Sequence, residues 1–172
     1  MISDHQYELF LKTITEELDG DWLLIGGSLL SLLKVSDRIT SDIDLCPIDE
    51  MTNDKRLNLM EIAQKCGLGV EAINPSADFF LRSIPNWKNA IVLYLVGKKG
   101  KIFRPSLDLY FKLKLNRRSE SDIEDCFKYL QWNFSQKINY NKTEIINLVQ
   151  NSIQNESNEF KKNKLEELKS KI

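Results

Sequence analysis

Two acidic residues, Asp42 and Asp44, flank a single apolar residue. The tripeptide Gly26-Gly27-Ser28 precedes them, with fourteen residues between Gly27 and Asp42. Glycines between a strand and a helix let the backbone approach a phosphate closely, and the first helical turn adds oriented N–H groups. Two carboxylates on one face of a strand can share a divalent cation, Mg²⁺ or Mn²⁺. The pattern therefore predicts a site for a metal-bound nucleoside triphosphate.

Each half of this pattern also has a purely structural explanation. Most Gly-Gly-Ser sequences are turns, and Ser28 could serve only as a helix N-cap. Acidic residues spaced by two are common on exposed strand edges. The combination favours a site because both halves occur in order and in a suitable context.

The predicted elements around these residues would bring them together. Trp22 to Ile25 is a continuous apolar run typical of a buried strand, and Ser28 to Leu33 predicts a helix. Residues Asp42 to Cys46 alternate carboxylate and apolar side chains, as in a half-buried strand. One face of that strand would present both acids.

The rest of the chain predicts an α/β (α+β) fold. Its mixed, partly antiparallel sheet would have about five strands, with packed helices and a C-terminal helical extension. We expect a domain over residues 1–135 and the extension over 136–172. The further elements predicted are a helix over 4–18 with Asp4 as its N-cap, a helix ending near Cys66, a strand over Gly69–Ile73, a hairpin of 90–96 and 101–104, helices after Ser106 and Ser119, and one or two solvated helices after Lys142.

Charge is unevenly distributed along the chain. Residues 1–50 contain 3 Lys or Arg against 11 Asp or Glu, whereas residues 51–172 contain 21 against 14. The near-zero sum, a formal charge of -1, excludes a global basic field that would hold nucleic acid non-specifically. The acidic first part fits a cation site, and the basic second part could face a polyanion.

The three cysteines are widely separated and lack zinc-ligand spacing, so neither a disulfide framework nor a structural metal site is indicated. No apolar run approaches the roughly 20 residues that span a bilayer. We therefore expect a cytoplasmic protein without a membrane partner.

The block around the acids resembles the signature of the polymerase-β-type nucleotidyltransferase superfamily. It is most similar to the small bacterial nucleotidyltransferase-like proteins that include abortive-infection and toxin members. Their Arg-x-Thr-x-Asp-apolar-Asp pattern matches Arg38-Ile39-Thr40-Ser41-Asp42-Ile43-Asp44. A later Asp-Leu and Lys helix matches Asp108 to Lys112, and Arg117 or Arg118 followed by Asp122 and Asp125 matches an Arg, Asp-x-x-Asp ending. Where many of these relatives carry a glycine before the acids, this chain has Lys34-Val35.

The resemblance implies a nucleotidyltransferase fold and transfer of a nucleoside monophosphate from a triphosphate. The acceptor hydroxyl would belong to an RNA end, a protein or a small molecule, and an antitoxin-like protein partner is possible. A third carboxylate usually completes the metal site, and Glu71 is the best-placed candidate. Asp108 is the rival, although an acid that starts a helix explains it as well.

Three further residues have competing explanations. Lys112 would contact the triphosphate or pair with acids on a solvated helix face. Arg38 could reach phosphate or brace Asp42, and Asp122 could be a site acid or a cap beside Ser119. A missing third acid would favour a catalytically inactive nucleotide-binding or protein-interaction module of the same fold.

Overall fold

A computed structural model describes residues 2–36, 42–74 and 77–172 and divides the chain into two units, one ending at Pro105 and one beginning at Ser106. The described elements of the first unit are α1 (Asp4–Glu17), β1 (Gly20–Ile25), α2 (Gly26–Leu32), β2 (Asp44–Pro47), α3 (Asn53–Lys65), α4 (Ala77–Arg82), β3 (Ile91–Val96) and β4 (Gly100–Pro105). Two 3₁₀ turns, Val70–Ala72 and Trp87–Ala90, lie between them.

The four strands form one mixed sheet in the order β2-β1-β4-β3. Strand β1 runs antiparallel to β2 and parallel to β4, and β4 runs antiparallel to β3. The predicted mixed α and β architecture is confirmed. The described residues contain four strands, whereas about five were predicted, and the missing one is the segment after Gly69.

The strand predicted over Gly69–Ile73 is wrong. Val70 to Ala72 form a 3₁₀ turn, in which the amide of Ala72 donates to the carbonyl of Gly69 at 3.0 Å. Of the turn residues only Ala72 is buried, so an extended segment here would gain little from burial. Ile73, at the end of this segment, forms one isolated parallel bridge with Ile43.

The N-cap of α1 lies one residue before the predicted one. Ser3, and not Asp4, is the N-cap, and its hydroxyl forms a capping box with Gln6. The buried stripe of α1 follows the predicted helical spacing and consists of Tyr7, Phe10, Leu11 and Ile14.

The second unit contains four helices among its residues: α5 (Leu107–Leu115), α6 (Glu120–Ser135), α7 (Lys142–Gln154) and α8 (Glu159–Lys171). Each begins at a Ser or Asn whose side chain accepts a backbone N–H: Ser106, Ser119, Asn141 and Asn158. The predicted domain boundary at residue 135 falls between α6 and α7. The tail helices also bury apolar residues, including Val149 and Leu165, so they are more than solvated appendages. In the part of the chain that is described, no helix is long and apolar enough to cross a bilayer.

Candidate functional site

The structure places Asp44 directly against the glycine turn that joins β1 to α2. The register of β1 and β2 pairs Asp44 with Ile25, the last residue of β1. Gly26 follows with a φ of +74°, and a Cβ on it would overlap the Asp44 carboxylate. Only glycine meets both conditions, the left-handed backbone and the close approach of a side chain. The carboxylate and the turn are therefore in contact.

Gly27 leaves the other side of this turn open. A Cβ on Gly27 would meet nothing within 4 Å, and its φ lies outside the left-handed region. The N-cap residue of α2, Ile25, provides no side-chain cap. A ligand oxygen can thus approach the backbone at Gly27 without displacing a side chain.

Ser28 is fully buried and links the turn to β2. Its hydroxyl donates to the carbonyl of Ile25 at 3.0 Å and accepts the amide of Asp44 at 3.4 Å. These bonds give Ser28 a structural role in holding β1 and β2 together. Contact of the Ser28 hydroxyl with a phosphate stays a prediction.

The two acids lie on either side of a buried anchor, Ile43. Ile43 is inaccessible to solvent, Asp44 is half-buried and Asp42 is exposed. Strand β2 begins only at Asp44, so Asp42 precedes the strand in which it was predicted. Because neighbouring side chains in extended backbone alternate in direction, the acids point away from the core that holds Ile43.

Asn74 is a site residue that the sequence did not reveal. The amide of Ile43 donates to Ala72 at 2.6 Å, and the amide of Asn74 donates to Ile43 at 3.1 Å. This bridge brings the Asn74 side chain to Asp44, where Nδ2 donates to Oδ1 at 2.6 Å. In the sequence, Asn74 stands before Pro75 and indicates only the end of a segment.

Glu71 lies elsewhere on the same segment. It is exposed, and its carboxylate folds back over the Cα of Gly69. The group next to Asp44 is therefore the amide of Asn74, and a catalytic role for Glu71 stays a prediction. Within residues 2–36, 42–74 and 77–172, no three His, Cys, Asp or Glu side chains are grouped as metal ligands.

Tyr7 is a second residue near the corner that no sequence motif indicates. Its hydroxyl is buried close to the Ser28 hydroxyl and the Asp44 carboxylate, and burial raises the pKa of Tyr7 far above its usual value. The phenol is therefore neutral at any physiological pH, and its oxygen has no hydrogen-bond partner among the described residues. In the sequence, Tyr7 is distinguished only by its hydroxyl group among the otherwise apolar buried residues of α1.

Lys112, Asp108 and Asp122 all lie in the second unit. Lys112 is half-buried, with its Nζ 2.6 Å from Oε1 of Glu144 and 3.6 Å from Oδ2 of Asp108. The hydrogen bond to Glu144 is the main reason that the pKa of Lys112 is raised. The structure thus shows the pairing alternative for Lys112, and contact with a triphosphate stays a prediction for Lys112 and for Asp108.

The neighbouring Lys114 is the buried lysine of this helix. Its Nζ lies 2.6 Å from Oδ2 of Asp125 and 3.2 Å from Oδ1 of Asp122, and all three side chains are at most 6% exposed. Arg117 adds a contact of 2.9 Å to Asp122. Lys114 lies three residues after the buried Phe111, a helical spacing that could have identified it.

Asp122 also closes the capping box of α6. The Ser119 hydroxyl donates to Oδ2 of Asp122 at 2.6 Å and accepts the Asp122 amide at 3.1 Å. Burial alone would raise the pKa of Asp122, but the Ser119 bond and the cations Lys114 and Arg117 outweigh it, so that this pKa is lowered. Asp122 therefore has the predicted capping role, and its role as a site acid stays a prediction.

Arg38 lies outside the described residues, together with Thr40 and Ser41.

Comparison of the chain with protein-family models, curated proteins and solved structures gave no match. Its function is therefore inferred from its own residues.

Proposed function

We propose that this chain is a metal-dependent nucleotidyltransferase that moves a nucleoside monophosphate from a triphosphate to an acceptor hydroxyl. One observation carries the proposal: the Asp44 carboxylate packs against the left-handed Gly26, and exposed Asp42 lies two residues away. The motif resemblance described above independently suggests the same activity and the same pair of acids.

The donor atoms fit a hard divalent cation. Asp42 and Asp44 offer carboxylate oxygens, the ligands that Mg²⁺ and Mn²⁺ prefer. Asn74 fixes one oxygen of Asp44 and leaves the other at the glycine turn. When bound, the cation would neutralise charge that develops on the phosphates. Gly27 would let the triphosphate approach the backbone, as its open side allows.

The local turn before the acids supports this proposal. Lys34, at the place where many of the resembling proteins have glycine, adopts a φ of +56°. This is the left-handed region that glycine favours, so the turn does not depend on a glycine here.

The proposed reaction makes one bond and breaks one bond. The acceptor oxygen bonds to the α-phosphorus, and the bond from that phosphorus to the bridging oxygen of the β-phosphate breaks. Pyrophosphate leaves with the electron pair, and the acceptor proton passes to a site carboxylate or to water. Asp42 and Asp44 position the phosphates for this displacement.

The test is transfer of label from α-labelled triphosphates, with Mg²⁺ or Mn²⁺ and total RNA or protein as acceptor. Asp42→Asn and Asp44→Asn should each lower transfer by about 100-fold or more, since metal ligands contribute several kcal/mol to such reactions. Glu61→Gln, which changes an exposed acid on α3, is the matched control and should not affect transfer. Unchanged transfer in both aspartate variants would refute the proposed site.

A catalytically inactive nucleotide-binding module is the second candidate. It is favoured by the hydrogen bond from Asn74 to Asp44, because this neighbour of Asp44 is a neutral amide and not a third carboxylate. Triphosphate binding without transfer to any acceptor would support it. Asn74→Asp should then create transfer activity, a gain that misfolding cannot imitate. Failure to bind any triphosphate would exclude both candidates and leave a protein-interaction module.

A toxin-like role, implied by the resemblance, can be tested in cells. Expression of an active toxin should arrest growth, and Asp44→Asn should relieve the arrest at equal protein level. An antitoxin-like partner would relieve it for the unchanged chain. Normal growth despite transfer activity in vitro would argue against the toxin role alone.

A further inference from the structure

Strand β3 forms one edge of the sheet and exposes an unusual amount of apolar surface. In the order β2-β1-β4-β3 it pairs only with β4 among the described strands. Four of its six side chains are at least 38% exposed: Val92, Leu93, Tyr94 and Val96. They occupy both faces of the strand, since adjacent residues alternate in direction.

The strand lacks the charged residue or proline that commonly protects a sheet edge. Edge strands normally carry a charge or a proline, because unpaired backbone N–H and C=O groups invite another strand. Ile91 to Val96 read IVLYLV, without either. A register shift between Leu93 and Leu95 is the one irregularity recorded in its pairing with β4. The outer edge is thus suited to accept an added strand.

Lysines flank both ends of this apolar strand, although Glu8 on α1 acts on Tyr94 in its middle. Lys88 lies just before it, Lys98 and Lys99 form the turn after it, and Lys101 lies opposite Val96 on β4. Lys98 contacts Glu16 at 3.3 Å. Lys101 lies between Val96 on β3 and Asp21 on β1, which is its register partner in the parallel pair.

A second copy of the chain fits this edge poorly. Full antiparallel pairing of two β3 strands about a two-fold axis would match Ile91 with Val96 of the other copy. The same register would bring Lys88 of each copy to the end that carries Lys98 and Lys99 of the other. Like charges at such positions oppose pairing.

We propose that the outer edge of β3 binds an extended apolar segment of another protein that is flanked by acidic residues. The segment adds a fifth strand by main-chain hydrogen bonds, and its side chains cover Leu93 and Val96. Its acidic flanks meet Lys88 at one end and Lys99 and Lys101 at the other. The surface is separate from the Gly26–Asp44 corner and does not depend on the proposed catalytic function.

The experiment measures anisotropy of two fluorescein-labelled peptides with one apolar core, EDTVIVTDE and KKTVIVTKK, added to the full chain. The acid-flanked peptide should bind at least about tenfold tighter, and the difference should shrink with added salt. Val96→Asn and Leu93→Asn remove apolar contact without adding charge and should each weaken binding by about tenfold. Leu57→Asn is the matched control, because Leu57 on α3 is 57% exposed, as is Val96.

Charge reversal makes the test specific. In Lys99→Glu/Lys101→Glu the preference between the two peptides should invert, with circular dichroism showing that the fold is retained. Equal binding of both peptides, or no binding of either, would overturn the proposal. A concentration-dependent dimer in light scattering that Val96→Asn abolishes would also overturn it, because the occupant would be a second copy.

Discussion

The Gly26–Asp44 corner of the first unit and the Lys114 cluster of the second both contain pairs of aspartates, but in opposite environments. In the cluster, Asp122 and Asp125 are at most 4% exposed and contact the ammonium of Lys114. In the corner, Asp44 is half-buried and accepts a hydrogen bond from an uncharged amide, and Asp42 is exposed.

This difference shows what decides the use of a carboxylate. A buried acid that meets a lysine has its charge compensated inside the protein, so it stabilises the fold and is closed to ligands. An exposed or half-buried acid beside a glycine turn remains accessible to solvent, from which a cation can reach it. The variants below test that contrast through the free energy of unfolding and the affinity for Mn²⁺.

The largest effect is expected for Lys114→Ala. Removing the ammonium leaves two buried carboxylates without their shared cation, which costs about 3–5 kcal/mol. Urea unfolding followed by circular dichroism measures the loss. Lys112→Ala is the matched control on the same helix, and its half-exposed pairs should contribute about 0–1 kcal/mol. If both variants lowered the free energy of unfolding equally, burial of the Lys114 cluster would not be what makes it stabilising.

Gly26→Ala should have the next largest effect. A left-handed alanine and its collision with Asp44 together cost about 2–4 kcal/mol. The control is Gly27→Ala, which has open space and sits in a helix, so stability should stay the same or rise by up to about 1 kcal/mol. Under the proposed function, Gly27→Ala should nevertheless weaken triphosphate binding, measured by calorimetry. A stable Gly26→Ala protein would show that Asp44 does not press against the turn.

Asp122→Asn tests the cluster through pH. Because the pKa of Asp122 is lowered in the fold, its contribution is present above the usual value of 3.8 and is lost as pH falls through the folded pKa. At pH 7 the substitution should cost about 1–2 kcal/mol. The cost should shrink when unfolding is measured near pH 3. If the loss of stability did not depend on pH, it would come from the capping box of α6 and not from the charge of Asp122.

The smallest stability effect, with the sharpest functional consequence, is expected for Asn74→Ala. Loss of its bond to the half-exposed Asp44 should lower stability by about 1 kcal/mol. Because Asn74 orients a metal ligand under the proposed function, Mn²⁺ affinity should fall by about 10–100-fold. Electron paramagnetic resonance titration measures free Mn²⁺. Asn89→Ala, at an exposed position before β3, serves as control; an equal loss of affinity there would point to a non-specific effect.

Local sequence signals predicted most elements of the fold. The buried run before Gly26, the hairpin around Gly97 and Gly100, and the serines that cap α5 and α6 all lie where the sequence indicated. The elements that were not predicted correctly are those whose conformation depends on contacts with distant parts of the chain. Helix α4 is only six residues long, and the segment after Gly69 pairs with Ile43 alone, so neither produces a periodic pattern.

The candidate site was predictable in its acids and its glycines but not in their partners. Gly26 and Asp44 belong to neighbouring elements, because the short helix α2 connects β1 to β2. Asn74 reaches Asp44 through a bridge across thirty positions of the chain, which no local pattern encodes. The motif spacing points to Lys112, whereas the helical spacing of buried residues in α5 points to Lys114.

Ile43 gives the acidic pair a property that neither carboxylate has alone. Its side chain is locked in the core and its amide and carbonyl are both bonded to the Ala72–Asn74 segment. The backbone between the two acids is therefore held in place, and the packing of Ile43 in the core sets the distance between Asp42 and Asp44. Mg²⁺ requires a regular octahedral arrangement of ligands, whereas Ca²⁺ tolerates irregular ones. The packing of Ile43 would then determine which of the two cations the acids prefer.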